Sequence, residues 1–85
     1  MSILEDVIVI IGNQLDRNPA EFNAETDLAD EGFTSLDTVE VTFELEQKFR
    51  INFKYNANEA YGGERRTVGD IVKMVQHFIT QRDGG

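Results

Sequence analysis

The side chains suited to nucleophilic chemistry are few: two serines, Ser2 and Ser35, one histidine, His77, and no cysteine. Nucleophilic catalysis needs a base beside the nucleophile, and His77 falls in the last helical pattern, off its apolar face, where a solvated surface histidine is expected. Carboxylates are more plentiful, and Asp27, Asp30, Glu31, Asp37 and Glu40 crowd one region. Acid/base work needs one pKa raised while another stays low. A small bundle without a deep pocket has little means to do that, so a solvated acidic face is expected. A calcium loop also fails: with Gly32 at the turn position, Ala29 and Thr38 stand where a ligand and a bidentate glutamate are required. No intrinsic enzyme activity and no metal site are therefore expected.

Ser35 remains. It sits in "EGFTSLDTVEVTFELEQKF", between a loop and a long helical pattern. Ser2 stands three residues before Glu5, the spacing of a capping box that satisfies two free amides of a first helical turn. Ser35 has two readings: Thr34 or Ser35 is the N-cap of the following helix, a role that typically contributes ~1 kcal/mol, or Ser35 is a point of attachment.

The elements that must position it are helical. Leu4, Val7, Ile8, Ile11 and Leu15 follow the spacing of one helical face, which predicts a first helix over about residues 3–15. The segment "DRNPAEFNAETDLADEGFT" holds the only proline and has no sustained period, with apolar anchors at Phe22, Leu28 and Phe33. A connection this long commonly carries function or spans a bundle, and it is expected to run back along the first helix. From Ser35 to Phe49 the pattern is helical again, with two apolar stripes. Val41, Leu45 and Phe49, flanked by Thr38 and Thr42, form the stripe expected in the core. Leu36, Val39 and Phe43 form a second, either facing solvent or a partner, or covered by loop residues such as Phe33.

Asn58 to Tyr61 is expected to form one short additional turn, ended by Gly62 and Gly63. "TVGDIVKMVQHFITQ" then restarts, with Thr67 and Asp70 at capping-box spacing and Val68, Ile71, Val72, Val75 and Ile79 as a third core face; the tail "RDGG" should fray. The expected architecture is all-α: one domain over residues 1–85, a small up-and-down bundle of three main helices plus a short additional one, with a long loop between the first two.

Composition narrows the partners. The chain has 85 residues, 40% hydrophobic, with 8 basic and 16 acidic residues and a net charge of −8. That sign disfavours nucleic acid and anionic membrane surfaces and favours basic protein partners. The absence of cysteine excludes thiol catalysis, Cys-ligated zinc and disulfides, and is consistent with a reducing compartment. No signal-like N-terminus is read, and Val7 to Ile11 is too short to span a bilayer. A cytoplasmic monomer is expected.

"FTSLDTVEVTFELEQKF", preceded by "DL" and followed by "TVGDIV", resembles the acyl carrier protein family and its peptidyl and aryl carrier relatives, over essentially the whole chain. Their signature is an Asp-Ser-Leu triplet at the start of the second helix, commonly followed by Asp, an aliphatic residue and Glu. Ser35, Leu36 and Asp37 match it, and Val39 and Glu40 continue it. The resemblance implies that Ser35 carries 4′-phosphopantetheine, taken from coenzyme A by a phosphopantetheinyl transferase, whose terminal thiol holds acyl groups as thioesters. It implies a docking face in which Leu36, Val39 and Phe43 are the apolar part and Asp37, Glu40, Glu44 and Glu46 steer acyl-loading and acyl-transfer enzymes with basic patches. Two departures stand out. Thr34 replaces the usual aspartate, and "YGGERR" looks like an insertion bringing Arg65 and Arg66 beside Tyr55 and Tyr61, which together point to a specialised carrier. The alternatives are an unmodified acidic interaction module, or a ubiquitin-like or sulfur-carrier protein using Gly84 and Gly85, which would require a β-grasp fold.

Overall fold

The computed structural model describes residues 2–53 and 66–84. Three helices carry them: α1 (Ile3–Leu15), α2 (Ser35–Phe49) and α3 (Val68–Gly84), with single 3₁₀ turns at Pro19–Glu21 and Ala29–Glu31. No strand occurs among the described residues, only an isolated antiparallel bridge between Asp27 and Thr67. The short helix expected at Asn58 to Tyr61 lies outside the described residues.

α1 begins where its cap dictates. The Ser2 hydroxyl accepts from the Glu5 amide at 3.1 Å and the Glu5 carboxylate accepts from the Ser2 amide at 2.8 Å. Both α1 and α2 end on a residue in the left-handed region, Asp16 (φ 56°) and Arg50 (φ 55°). Neither is glycine, so each turn is held against a local preference for right-handed backbone.

The long connection does not run back along the length of α1. Gln14, in the last turn of α1, reaches Asp37 and Glu40 in the first turns of α2, so both ends of the connection lie at one pole. Its first turn, Pro19–Glu21, packs against the end of α1 near Gly12, and the connection then folds on itself and crosses to α3. Asn18 caps the turn that begins at Pro19, Phe22 and Leu28 enter the core, and three backbone bonds tie it to the start of α3: Leu28 N–H to Arg66 C=O (2.9 Å), Val68 N–H to Thr26 C=O (3.1 Å) and Gly69 N–H to Ala24 C=O (2.8 Å). At the far pole the Arg82 guanidinium donates to the Phe49 carbonyl, so α2 and α3 end together. α1 thus runs antiparallel to α2, and α3 repeats the direction of α2.

The core draws Val7 and Ile11 from α1, Phe22 and Leu28 from the connection, Val41 and Leu45 from α2, Ile51 and Phe53 after it, and Val68, Ile71, Met74, Val75 and Phe78 from α3. The α3 face is therefore rotated from the expected one: Met74 and Phe78 are buried, whereas Val72 and Ile79 are only half-buried. The Phe78 ring meets Phe53 at 4.9 Å in an edge-to-face arrangement, the geometry that aromatic quadrupoles favour. That contact pulls Phe78 inward. His77 beside it is half-buried, not solvated, and its ring stands at 90° to Phe78 with centroids 5.2 Å apart. The C-terminal residues expected to fray continue α3 to Gly84.

Gly69 shows how tightly the connection docks. A β-carbon there would lie 2.9 Å from the Ala24 carbonyl oxygen, a backbone atom with little freedom to retreat. Gly→Ala in an open helix gains up to ~1 kcal/mol. Here the sign should reverse, with Gly69→Ala costing about 1–3 kcal/mol through overpacking. Thermal unfolding followed by circular dichroism checks this; a raised melting temperature would mean the contact is loose.

Candidate functional site

The start of α2 resolves which residue caps it. Thr34 is the N-cap, its hydroxyl accepting from the Asp37 amide at 3.2 Å, while Asp37 Oδ2 accepts from the Thr34 amide at 2.8 Å and from the Thr34 hydroxyl at 3.0 Å. Thr38 adds a hydroxyl bond to the Thr34 carbonyl at 3.2 Å. This reciprocal box consumes the polar groups of Thr34 and Asp37. Ser35 stands one position inside the helix, exposed, with no side-chain hydrogen bond among the described residues. Its hydroxyl is uncommitted.

Around it the surface is apolar and acidic. Leu36, Val39 and Phe43 are exposed to 67%, 65% and 59%, so Phe33 does not cover the second stripe. Phe33 instead helps line a small cavity of about 10 Å³ between α2 and α3, with Thr38, Val41, Thr42, Leu45, Ile71 and Met74. That volume is about one water, so the cavity as it stands holds no larger group. A wider groove of about 370 Å³, lined by Arg50, Ile51, Asn52, Phe78, Gln81 and Arg82, lies at the other end of α2, about 22 Å along the helix from Ser35.

The crowded carboxylates are divided among partners that periodicity does not show. Asp27 pairs with Arg66 at 3.0 Å and accepts from the Ala29 and Asp30 amides. Glu31 pairs with Arg17, which also holds Glu21 at 2.8 Å and lies over the Phe22 ring. Asp37 and Glu40 share the Gln14 amide at 2.8 and 2.7 Å. Glu46 accepts from the Phe53 amide at 2.9 Å. Asp30 and Glu44 are exposed and make no such bond among the described residues. Arg17, Gln14 and Arg66 were not recognised from sequence as parts of this region, because each acts on a residue distant in the chain. Among the described residues no His, Cys, Asp and Glu group could hold a metal, and no described helix is long and apolar enough to cross a membrane.

Comparison with known proteins bears on this arrangement. A family profile described as "Phosphopantetheine attachment site" matches residues 5–75. The chain is 34% identical to the acyl carrier protein of Wolinella succinogenes over 77 residues, 89% of this chain and 96% of that one. It is 36% identical to the acyl carrier protein of Chlamydia muridarum, over 89% of this chain and 95% of that one. It belongs to the acyl carrier protein family. The cofactor is accordingly a covalently attached 4′-phosphopantetheine, and the protein is a carrier with no catalysis of its own. It is 32% identical to the acyl carrier protein of Sulfurovum, over 91% of this chain and 99% of that one.

The cap makes the site sensitive to acid. The Thr34 amide, and after it the Gln14 amide, hold the Asp37 carboxyl below the ordinary carboxylate value. The Thr67 amide does the same for Asp70, and the Arg66 guanidinium for Asp27. A carboxyl whose folded pKa is depressed contributes stability above its unfolded value of about 3.9, and that contribution is lost as pH falls through the folded value. The melting temperature should therefore hold down to about pH 5 and drop below about pH 4. Asp37→Asn should start lower and fall less steeply. Equal slopes for the two proteins in a pH series of melting curves would show that Asp37 titrates as it does in the unfolded chain.

Proposed function

We propose that Ser35 bears the 4′-phosphopantetheine and that the face of α2 beside it presents thioester-bound acyl or related groups to partner enzymes. The observation that carries this is the division of labour at the cap. Thr34 and Asp37 satisfy each other's amides, which leaves the Ser35 hydroxyl exposed and free to become the phosphodiester oxygen. A phosphate there gains from the positive end of the α2 dipole and from nearby unpaired amides. No local base is needed, because a separate phosphopantetheinyl transferase supplies the activation.

Thr34, where relatives are expected to carry aspartate, keeps the capping role and gives up only a charge. The partners are the transferase and the acyl-loading and acyl-transfer enzymes of lipid, polyketide or related biosynthesis, meeting a cytoplasmic monomer through basic patches. Leu36, Val39 and Phe43 supply apolar contact, and Glu40 and Glu44 supply charge at its margin. Asp37 and Glu46 contribute their field, but both Asp37 oxygens and Glu46 Oε2 are already engaged within the chain. The thiol absent from the sequence arrives with the arm.

The test is incubation with coenzyme A and a broad-specificity transferase, followed by intact mass spectrometry and peptide mapping. A mass gain of one phosphopantetheine on the peptide containing Ser35 is expected. An unmodified chain across several transferases would overturn the reading in favour of a plain interaction module.

A further inference from the structure

We propose that Gln14 is a positioning residue for partner recognition: from α1 it pins the Asp37 and Glu40 carboxylates on α2, so that a basic partner meets charges already fixed in place. The inference rests on the carrier reading of Ser35 and deepens it. Asp37 and Glu40 are three residues apart on one helix, neighbours of like charge that repel. The Gln14 side-chain nitrogen lies 2.8 Å from Asp37 Oδ1 and 2.7 Å from Glu40 Oε1, and an amide nitrogen has two N–H donors, one for each oxygen.

The choice of side chain matters. A lysine or arginine at this position would bind the same oxygens but cancel charge that steers basic partners. A glutamate would add a third negative charge. A glutamine holds both carboxylates and leaves both charges in place. The Asp37 carboxylate is then held on both oxygens, since Oδ2 serves the Thr34 cap. Glu40 keeps Oε2 for a partner while Oε1 is anchored. A glutamate freed from such a bond samples many rotamers, which a partner must freeze on binding. The helix that carries the attachment serine is thereby tied to α1 at the point where the partner approaches.

The experiment measures transferase kinetics on the full chain, comparing wild type, Gln14→Leu, Glu40→Gln and the double variant, at a temperature where circular dichroism shows all four folded. Gln14→Leu removes both donors at similar volume. It should raise KM by roughly 5- to 10-fold, the expected cost of ordering one or two released side chains, with kcat unchanged. In the Glu40→Gln background the same substitution should raise KM by much less, because the carboxylate it positioned is gone. A role in folding alone would shift melting temperatures without this coupling in KM. If wild type is modified and Gln14→Leu shows an unchanged KM, or an increase undiminished in the Glu40→Gln background, the positioning role is overturned while the carrier reading stands. A wild-type chain that accepts no phosphopantetheine overturns both.

Discussion

Ser35→Ala should abolish phosphopantetheine attachment completely while leaving the melting temperature almost untouched. The two halves of that expectation come from one geometric fact. Ser35 is exposed and makes no side-chain hydrogen bond among the described residues, so replacing it removes a hydroxyl that supports nothing, and a surface change of this kind stays within about ±0.5 kcal/mol. Thr34→Ala is the complementary variant. It deletes the cap acceptor for the Asp37 amide, which should cost about 0.5–2 kcal/mol. Near ~1 kcal/mol, a domain of this size loses roughly 4–8 °C of melting temperature. Attachment should survive in Thr34→Ala, since Ser35, the proposed acceptor, is still present. Intact mass spectrometry and thermal unfolding of the two variants separate acceptor from cap. A modified Ser35→Ala protein would place the arm elsewhere, and a large stability loss in that variant would return Ser35 to a structural role.

This separation was only half legible in the sequence. The spacing of Ser2 to Glu5 and of the apolar residues placed α1 and α2 at their observed limits, because capping and helical period are local. Phe22 and Leu28 were likewise recognisable as anchors in a segment without period. Whether Thr34 or Ser35 capped α2 was open, since both are good cap residues and one position decides it. The partner sets of the acidic region were illegible: Gln14 with Asp37 and Glu40, Arg17 with Glu31, and Arg66 with Asp27 are all contacts across the fold. The shift of the α3 face has the same origin. Met74 and Phe78 fit a helical stripe as well as Val72 and Ile79 do, and the stripe that wins is the one meeting Phe53. The direction of α3 relative to α2 also depends on where the chain between them leads, and no local pattern encodes that.

Leu45→Ala and Phe43→Ala should part company by several kcal/mol although the residues are two positions apart on the same helix. Leu45 is 1% exposed and lines the small cavity between α2 and α3. Truncating it enlarges a void that the surrounding side chains can only partly refill, at a cost of about 2–5 kcal/mol. The whole fold is worth roughly 4–13 kcal/mol at ~0.05–0.15 kcal/mol per residue, so this one change threatens a large share of it. Phe43 is 59% exposed, and its truncation should move stability by about ±0.5 kcal/mol. Phe49, which periodicity assigns to the core stripe with Leu45, is half-buried and should fall between the two. The order reverses for function. Phe43→Ala removes the largest apolar side chain from the stripe beside Ser35 and should weaken engagement by transferase and acyl-handling enzymes in a protein that is still fully folded. Leu45→Ala, assayed where it remains folded, should be engaged normally. Denaturant titration measures the first contrast and transferase KM the second. A Phe43→Ala protein with a core-sized stability loss would mean the exposed stripe is packed in solution, and one with an unaltered KM would mean that partners read another face.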